Sequence, residues 1–178
     1  MPTIEGFAPI IDRNARVLIL GTMPGAESLR KREYYAHPRN QFWKIIYSIF
    51  DSVLETPYLE RVSFLKEKRI ALWDVIQCCD REGSSDSKIT RVCTNDFASL
   101  LTTYPNVKFL CFNGQIALKT FRKEVKLNTS SQVIFETLPS TSPANARMPV
   151  DTKIRKWARI PYLLNVVLPG VYHSPEAL

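Results

Sequence analysis

Val17-Leu18-Ile19-Leu20-Gly21-Thr22-Met23-Pro24-Gly25 is the stretch from which the architecture follows. Its four leading residues are apolar without alternation, so both faces of an extended segment need cover, and the Gly/Pro-containing run behind them stops the extension. A buried strand opening into a loop is expected there. Beyond the loop the period changes. Phe42, Ile45, Ile46, Ile49 and Phe50 recur at i, i+3, i+4, i+7 and i+8, one face of a helix with Asn40 near its start.

The same alternation continues outward. Ile70-Ala71-Leu72-Trp73-Asp74-Val75 is a second strand candidate. Val107 to Phe112 is a third, closed by Asn113-Gly114 and followed by a helical stretch from Gln115 to about Glu124. Gln132 to Leu138 is a fourth, ending in Pro139-Ser140-Thr141-Ser142-Pro143, and a last helix sets Val150, Ile154, Trp157 and Ala158 on one face. Strands separated by helices build βαβ units, hence an α/β fold whose mostly parallel sheet is covered on both faces. Ligands of such sheets bind outside the carboxyl ends of the strands. The clusters at 21–25, 113–114 and 140–145 should therefore converge on one cleft, joined by Asp74 from the end of its own strand. Residues 1–178 read as a single domain, with no interpretable pattern over 160–178.

A chain of 178 residues suffices for one compact domain with a full core. With 45% hydrophobic and 23% charged residues it is no disordered polycation. No apolar run reaches the roughly 18 residues that span a bilayer, and an N-terminus carrying Glu5 and Asp12 lacks a signal peptide, so a soluble cytoplasmic or nuclear protein without a membrane partner is expected. Cys78, Cys79, Cys93 and Cys111 form no C-x-x-C pair, and His37 and His173 are the only histidines. Neither a metal site nor a cofactor is expected from these spacings. Cys111, within an apolar run, reads as core.

The charge balance is 24 basic against 17 acidic residues, net +7. Arg30, Lys31, Arg32, Arg39 and Lys44 flank the first loop, and Arg147, Lys153, Arg155, Lys156 and Arg159 follow the last. Either cluster alone reads as a solvated helix face. Two clusters bordering one cleft suit a polyanion lying across it, and nucleic acid is the expected partner. The first loop lacks the spacing of either phosphate-binding glycine motif, and neither a nucleophile elbow nor a zinc deaminase signature occurs.

Two separated segments match a known pattern. Gly21-Thr22-Met23-Pro24-Gly25 followed by Tyr35-Ala36-His37-Pro38-Arg39-Asn40-Gln41-Phe42-Trp43 resembles the first motif region of the uracil-DNA glycosylase superfamily, nearest to the mismatch-specific uracil glycosylases. Pro139-Ser140-Thr141-Ser142-Pro143-Ala144-Asn145 resembles its second motif, the loop that presses on DNA around a flipped base. With 71–75 and 112–114 between them, the combination resembles the hypoxanthine-DNA glycosylase branch over about residues 16–158. The resemblance implies a three-layer α/β/α fold and metal-free hydrolysis of the N-glycosidic bond of a deaminated base.

One departure bears on mechanism. Relatives carry Asn or Asp at the third position of the first loop, where it helps position the attacking water; here Met23 stands there, and a thioether neither orients nor deprotonates water. Asn40 is the substitute that the matching segment places beside the sugar; its other role is a cap for the following helix. Tyr35 matches the position that stacks on the base, or is a packed aromatic. Asp74 suits the N1–H of hypoxanthine, a donor that adenine lacks, or else a cap or ion pair. Asn113 reads the base edge or turns the chain. Backbone N–H groups at Gly21, Thr22 and Met23, together with Ser140, are expected to stabilise the departing base. Ser142 is placed on a phosphate, Pro143 and Arg147 on the DNA side of the same loop, and Ala144 and Asn145 where relatives insert a wedge. His37 is left outside the catalytic set, and with no catalytic lysine no Schiff base is expected. The alternatives are a uracil or mismatch-thymine glycosylase, a non-catalytic binder of damaged or single-stranded DNA, and a nucleotide hydrolase. A monomer is expected.

Overall fold

A computed structural model describes residues 3–83, 85–127 and 132–168. Its central sheet has four parallel strands in the order β3 (Ile70–Asp74), β2 (Val17–Gly21), β6 (Phe109–Asn113) and β7 (Ile134–Leu138). The alternating side chains of these strands feed two separate cores. Helix α1 (Ala26–Lys31) follows the loop after β2, and Val17, Ile19, Ile70, Leu72, Phe109 and Cys111 pack against α2 (Phe42–Ser48), α3 (Tyr58–Glu67), α6 (Val150–Trp157) and α7 (Arg159–Asn165). Leu18, Leu20, Ala71, Trp73, Leu110 and Phe112 pack against α4 (Phe97–Thr103) and α5 (Gln115–Glu124). Cover on both faces is why the strands read as unbroken apolar runs. The expected α/β/α layering is present, and Cys111 is buried in the first core.

Strand register places the site. Gly21 pairs beside Asp74, and Asn113 beside Leu138, so the strands end at one level. The neighbours of β2 are reached in opposite directions along the sheet, and that reversal is where an open sheet leaves a crevice. Each of the three tryptophans satisfies its indole N–H with a backbone carbonyl: Trp43 with Tyr34, Trp73 with Phe7, Trp157 with Pro139. All are core residues, as their apolar faces imply.

The sequence reading did not anticipate a second sheet, antiparallel, in the order β1 (Thr3–Glu5), β4 (Ile76–Asp80) and β5 (Thr90–Thr94). The chain passes from β3 into β4 through the single residue Val75. Val75 and Ile76 N–H donate to the carbonyls of Gly21 and Thr22, so ladder-type pairing carries on along the loop after β2. Cys78 and Cys93 face each other across β4 and β5 as a disulfide, with Cα atoms 5.1 Å apart. Strands this short and mixed show neither a continuous apolar run nor a clean period of two.

Two further expectations need correcting. Lys153, assigned to the basic rim, is 1% exposed; its ammonium donates to Gln41 Oε1 at 2.8 Å and to the Asn145 carbonyl at 2.9 Å. Ala158, placed on the apolar face of the last helix, is exposed.

Candidate active site

Beyond the carboxyl ends of β2 and β3 lies a cavity of about 170 Å³ whose lining includes Tyr35, Asn40, Asp74, Asp86, Ser142 and Pro143. The backbone of Gly21 makes room beneath it. A Cβ there would collide with Asp74 Oδ1 and come within 3.3 Å of the Tyr35 hydroxyl, so only glycine allows both groups so near the strand end. Asp74 is 4% exposed, and its Oδ2 has no hydrogen-bond partner among the described residues. Burial, and then the neighbouring Asp86 charge, push its pKa up to about 7, with Arg81 opposing. The Asp74 carbonyl accepts from Asn95 Nδ2 at 2.8 Å, which fixes the strand end from behind.

Tyr35 adopts a left-handed backbone with φ 55°, an uncommon state for an aromatic residue, at the wall of this cavity. Phe42 covers one face of its ring, with centroids 3.9 Å apart at 19°. Among the described residues its buried hydroxyl makes no hydrogen bond of good geometry; burial and the Asp74 charge raise the phenol pKa, and the Asn113 side chain works the other way.

Asn40 sits just ahead of α2, whose N-cap is Gln41. The Asn40 Oδ1 accepts from the Phe42 N–H at 2.9 Å at the start of α2, and the residue lines the cavity. The loop of the second motif is tied largely to itself. Ser140 Oγ accepts from the Ser142 N–H and the Ser140 carbonyl from Asn145 Nδ2, while Ser142 caps a 3₁₀ turn over Pro143–Asn145. Ala144 and Arg147 are exposed on it. Gly114, at φ 100°, lets Ser140 approach, since a Cβ there would sit 2.9 Å from the Ser140 Cβ. Asn113, expected at the base edge, instead clamps Thr141: its Oδ1 accepts from the Thr141 N–H and its Nδ2 donates to Thr141 Oγ1, both at 2.9 Å. Asn113 thus joins the end of β6 to the second loop.

Met23 lies elsewhere than expected. It is 7% exposed, packed with Ile76 and Cys79 in the core of the antiparallel sheet, and it does not line the cavity. An apolar side chain gains more in that core than at a polar wall. Next to it, the Thr22 hydroxyl is engaged by Asp86, an acid on the 3₁₀ turn Asp86–Lys88 between β4 and β5. Arg81 lies beneath this wall with its side chain fully buried; it donates through Nη2 to the Pro24 carbonyl and through Nε to the Gly83 carbonyl, and its Nη1 is 3.9 Å from Asp86 Oδ1. Neither Asp86 nor Arg81 was found from the sequence. Both belong to a Ser-rich connection with no period, and only the proximity of two opposite charges five positions apart hinted at them.

The model of the uracil DNA glycosylase superfamily matches residues 8–164. The chain belongs to this superfamily. A hypoxanthine DNA glycosylase of Methanosarcina acetivorans is 38% identical over 150 residues, covering 80% of this chain and 89% of the relative. A hypoxanthine DNA glycosylase of Methanosarcina barkeri is 44% identical over 112 residues, 62% of this chain and 71% of the relative. A solution NMR structure of a candidate uracil DNA glycosylase from Methanosarcina acetivorans superposes with a TM-score of 0.75 at 34% identity, over 91% of this chain and 99% of that one. Within this glycosylase fold, both matched motifs open on the same cavity, through Pro24 and Tyr35 from the first and Ser142 and Pro143 from the second.

Proposed function

We propose that this chain is a monofunctional DNA glycosylase that hydrolyses the N-glycosidic bond of a flipped hypoxanthine and leaves an abasic site. The observation that carries the reading is the cavity floor: a buried carboxylate whose Oδ2 has no partner among the described residues, in a space for one planar ring system. An apolar cavity of about 150 Å³ takes up benzene, so this one suits a single base and no longer stretch of nucleic acid. The extruded base stacks on the open face of Tyr35, and its N1–H donates to Asp74 Oδ2. Adenine offers a lone pair at that position and meets repulsion.

As C1′–N9 breaks, the bonding electrons leave with the purine and positive charge grows on the sugar, so positioning and electrostatics carry most of the catalysis. Asn40 holds the incoming water. The second loop, with Ser142 toward a phosphate and Ala144 and Asn145 toward the duplex, keeps the strand open. The exposed cations Arg39, Lys44, Arg147, Arg155 and Lys156 face the polyanion. The enzyme acts as a monomer in the cytoplasm or nucleoid, with DNA as its partner and no cofactor.

End-labelled duplexes carrying deoxyinosine, deoxyuridine or deoxyxanthosine, incubated with the protein and then treated with alkali, test this. Cleavage at deoxyinosine is expected. Cleavage at deoxyuridine alone, or binding without an abasic product, would contradict the reading. Borohydride should trap no covalent adduct.

A further inference from the structure

We propose that Asp86 is a catalytic residue, the acceptor of the proton from the water that attacks C1′; this rests on the excision reading above. Depth is the first observation. Asp74 is 4% exposed at the floor of the cavity, whereas the Asp86 side chain, on the same cavity, keeps 28% exposure. A nucleotide that enters base-first leaves its sugar at the mouth, so the inner acid meets the base edge and the outer acid meets C1′.

The second observation is that the other polar groups of the cavity are committed differently. Asn40 Oδ1 already accepts from the Phe42 N–H and its Nδ2 is only a donor, so this carboxamide orients a water and takes no proton. His37 Nδ1 accepts from the Arg39 N–H at 3.1 Å, which makes Nε2 the protonated nitrogen of the neutral ring, a donor. Glu27 is held by Arg30 at 2.7 Å and Lys31 at 3.5 Å. The Tyr35 phenol stays protonated.

The third observation is anchorage. Thr22 and Arg81 fix Asp86 against the loop that follows β2, beside the position where Met23 has turned into the neighbouring core. Burial raises the Asp86 pKa from its ordinary value, and the Thr22 hydrogen bond and the Arg81 charge restrain the rise. Among the described residues, Arg81, Asp74, Tyr35 and Cys79 feel or set its charge, and Glu27 and His37 share the cavity lining. In the reaction the C1′–N9 pair departs on N9, a water oxygen bonds to C1′, and one water proton passes to the Asp86 carboxylate. The departing purine anion or bulk solvent then takes that proton and regenerates the site.

Single-turnover excision from a deoxyinosine duplex by Asp86→Asn and Asp86→Ala, with duplex affinity measured in parallel, tests the assignment. Loss of a general base predicts a fall of roughly 100-fold or more in rate, with affinity held within about threefold. Formate should restore part of the Asp86→Ala rate and leave wild type and Asn40→Ala unchanged, because only the first lacks a proton acceptor of that size. Asp86→Asn keeps an acceptor for Thr22 and serves where alanine loosens the connection. An Asp86→Asn rate within about threefold of wild type, or an Asp86→Ala defect indifferent to formate, would overturn the proposal. Wild type that leaves deoxyinosine intact would instead sink the excision reading.

Discussion

At the scale of single residues, Asp74 opposes stability to function. Its folded pKa, about 7, lies above the ordinary carboxylate value, so the folded state binds the extra proton between roughly pH 4 and 7. Stability attributable to this group is therefore present at low pH and falls as pH rises through that window. Asp74→Asn, measured by denaturant unfolding at pH 8, should stabilise the protein by roughly 2–4 kcal/mol, while little difference remains at pH 4. The same substitution removes the proposed acceptor for N1–H and should slow hypoxanthine excision by about 10- to 100-fold, the value of a hydrogen bond to a charged group. Wild-type excision should decline as pH drops below about 7, where the carboxylate takes up its proton. Asn40→Ala removes the carboxamide proposed to hold the water and a contact at the start of α2 together; single-turnover excision should fall by about 100-fold while gel-shift affinity for the duplex holds. Asp74 was legible because a lone acid ending an apolar run must have a reason to be there. Met23 was misplaced because its destination is a core that no local pattern announces.

At the scale of elements, the second loop is held by a cation with neutral partners. Lys153 reaches from α6 to Gln41 at the head of α2 and to the Asn145 carbonyl, with no carboxylate among its hydrogen-bond partners in the described residues. Lys153→Met would leave both acceptors unpaired at about 1–3 kcal/mol of stability for a buried orphan group. Amide exchange across 140–147 should quicken in that variant, whereas exchange in β2 should keep its wild-type protection. The parallel sheet was readable because cover on both faces writes itself as continuous apolar runs at 17–20, 70–73 and 109–112. The antiparallel sheet was not, since Thr90–Thr94 is polar at its ends and its pairing with Ile76–Asp80 carries register shifts. Lys153 was assigned to solvent because α6 is dense in charge, and its burial depends on partners 112 and 8 residues away.

For the whole molecule, a net charge of +7 and exposed cations flanking both loops make duplex binding a counterion-release process. Affinity should fall log-linearly with salt, and neutralising Arg147 or Lys156 should each flatten the slope by about one. A fluorescence anisotropy titration across salt concentrations measures this directly; an unchanged slope would remove that residue from the phosphate contacts. One more consequence lies in the passage through Val75. Because a lone peptide unit hands the chain from the parallel array to the antiparallel ribbon, the two acids of the cavity are geared to each other like teeth on a common shaft. Extending that hand-over by one residue would turn the ribbon's pleat over and swing Asp86 away from its counterpart, with both sheets still able to form. Chemistry at the mouth is thus adjustable by the length of a joint, independently of the layers that give the molecule its stability.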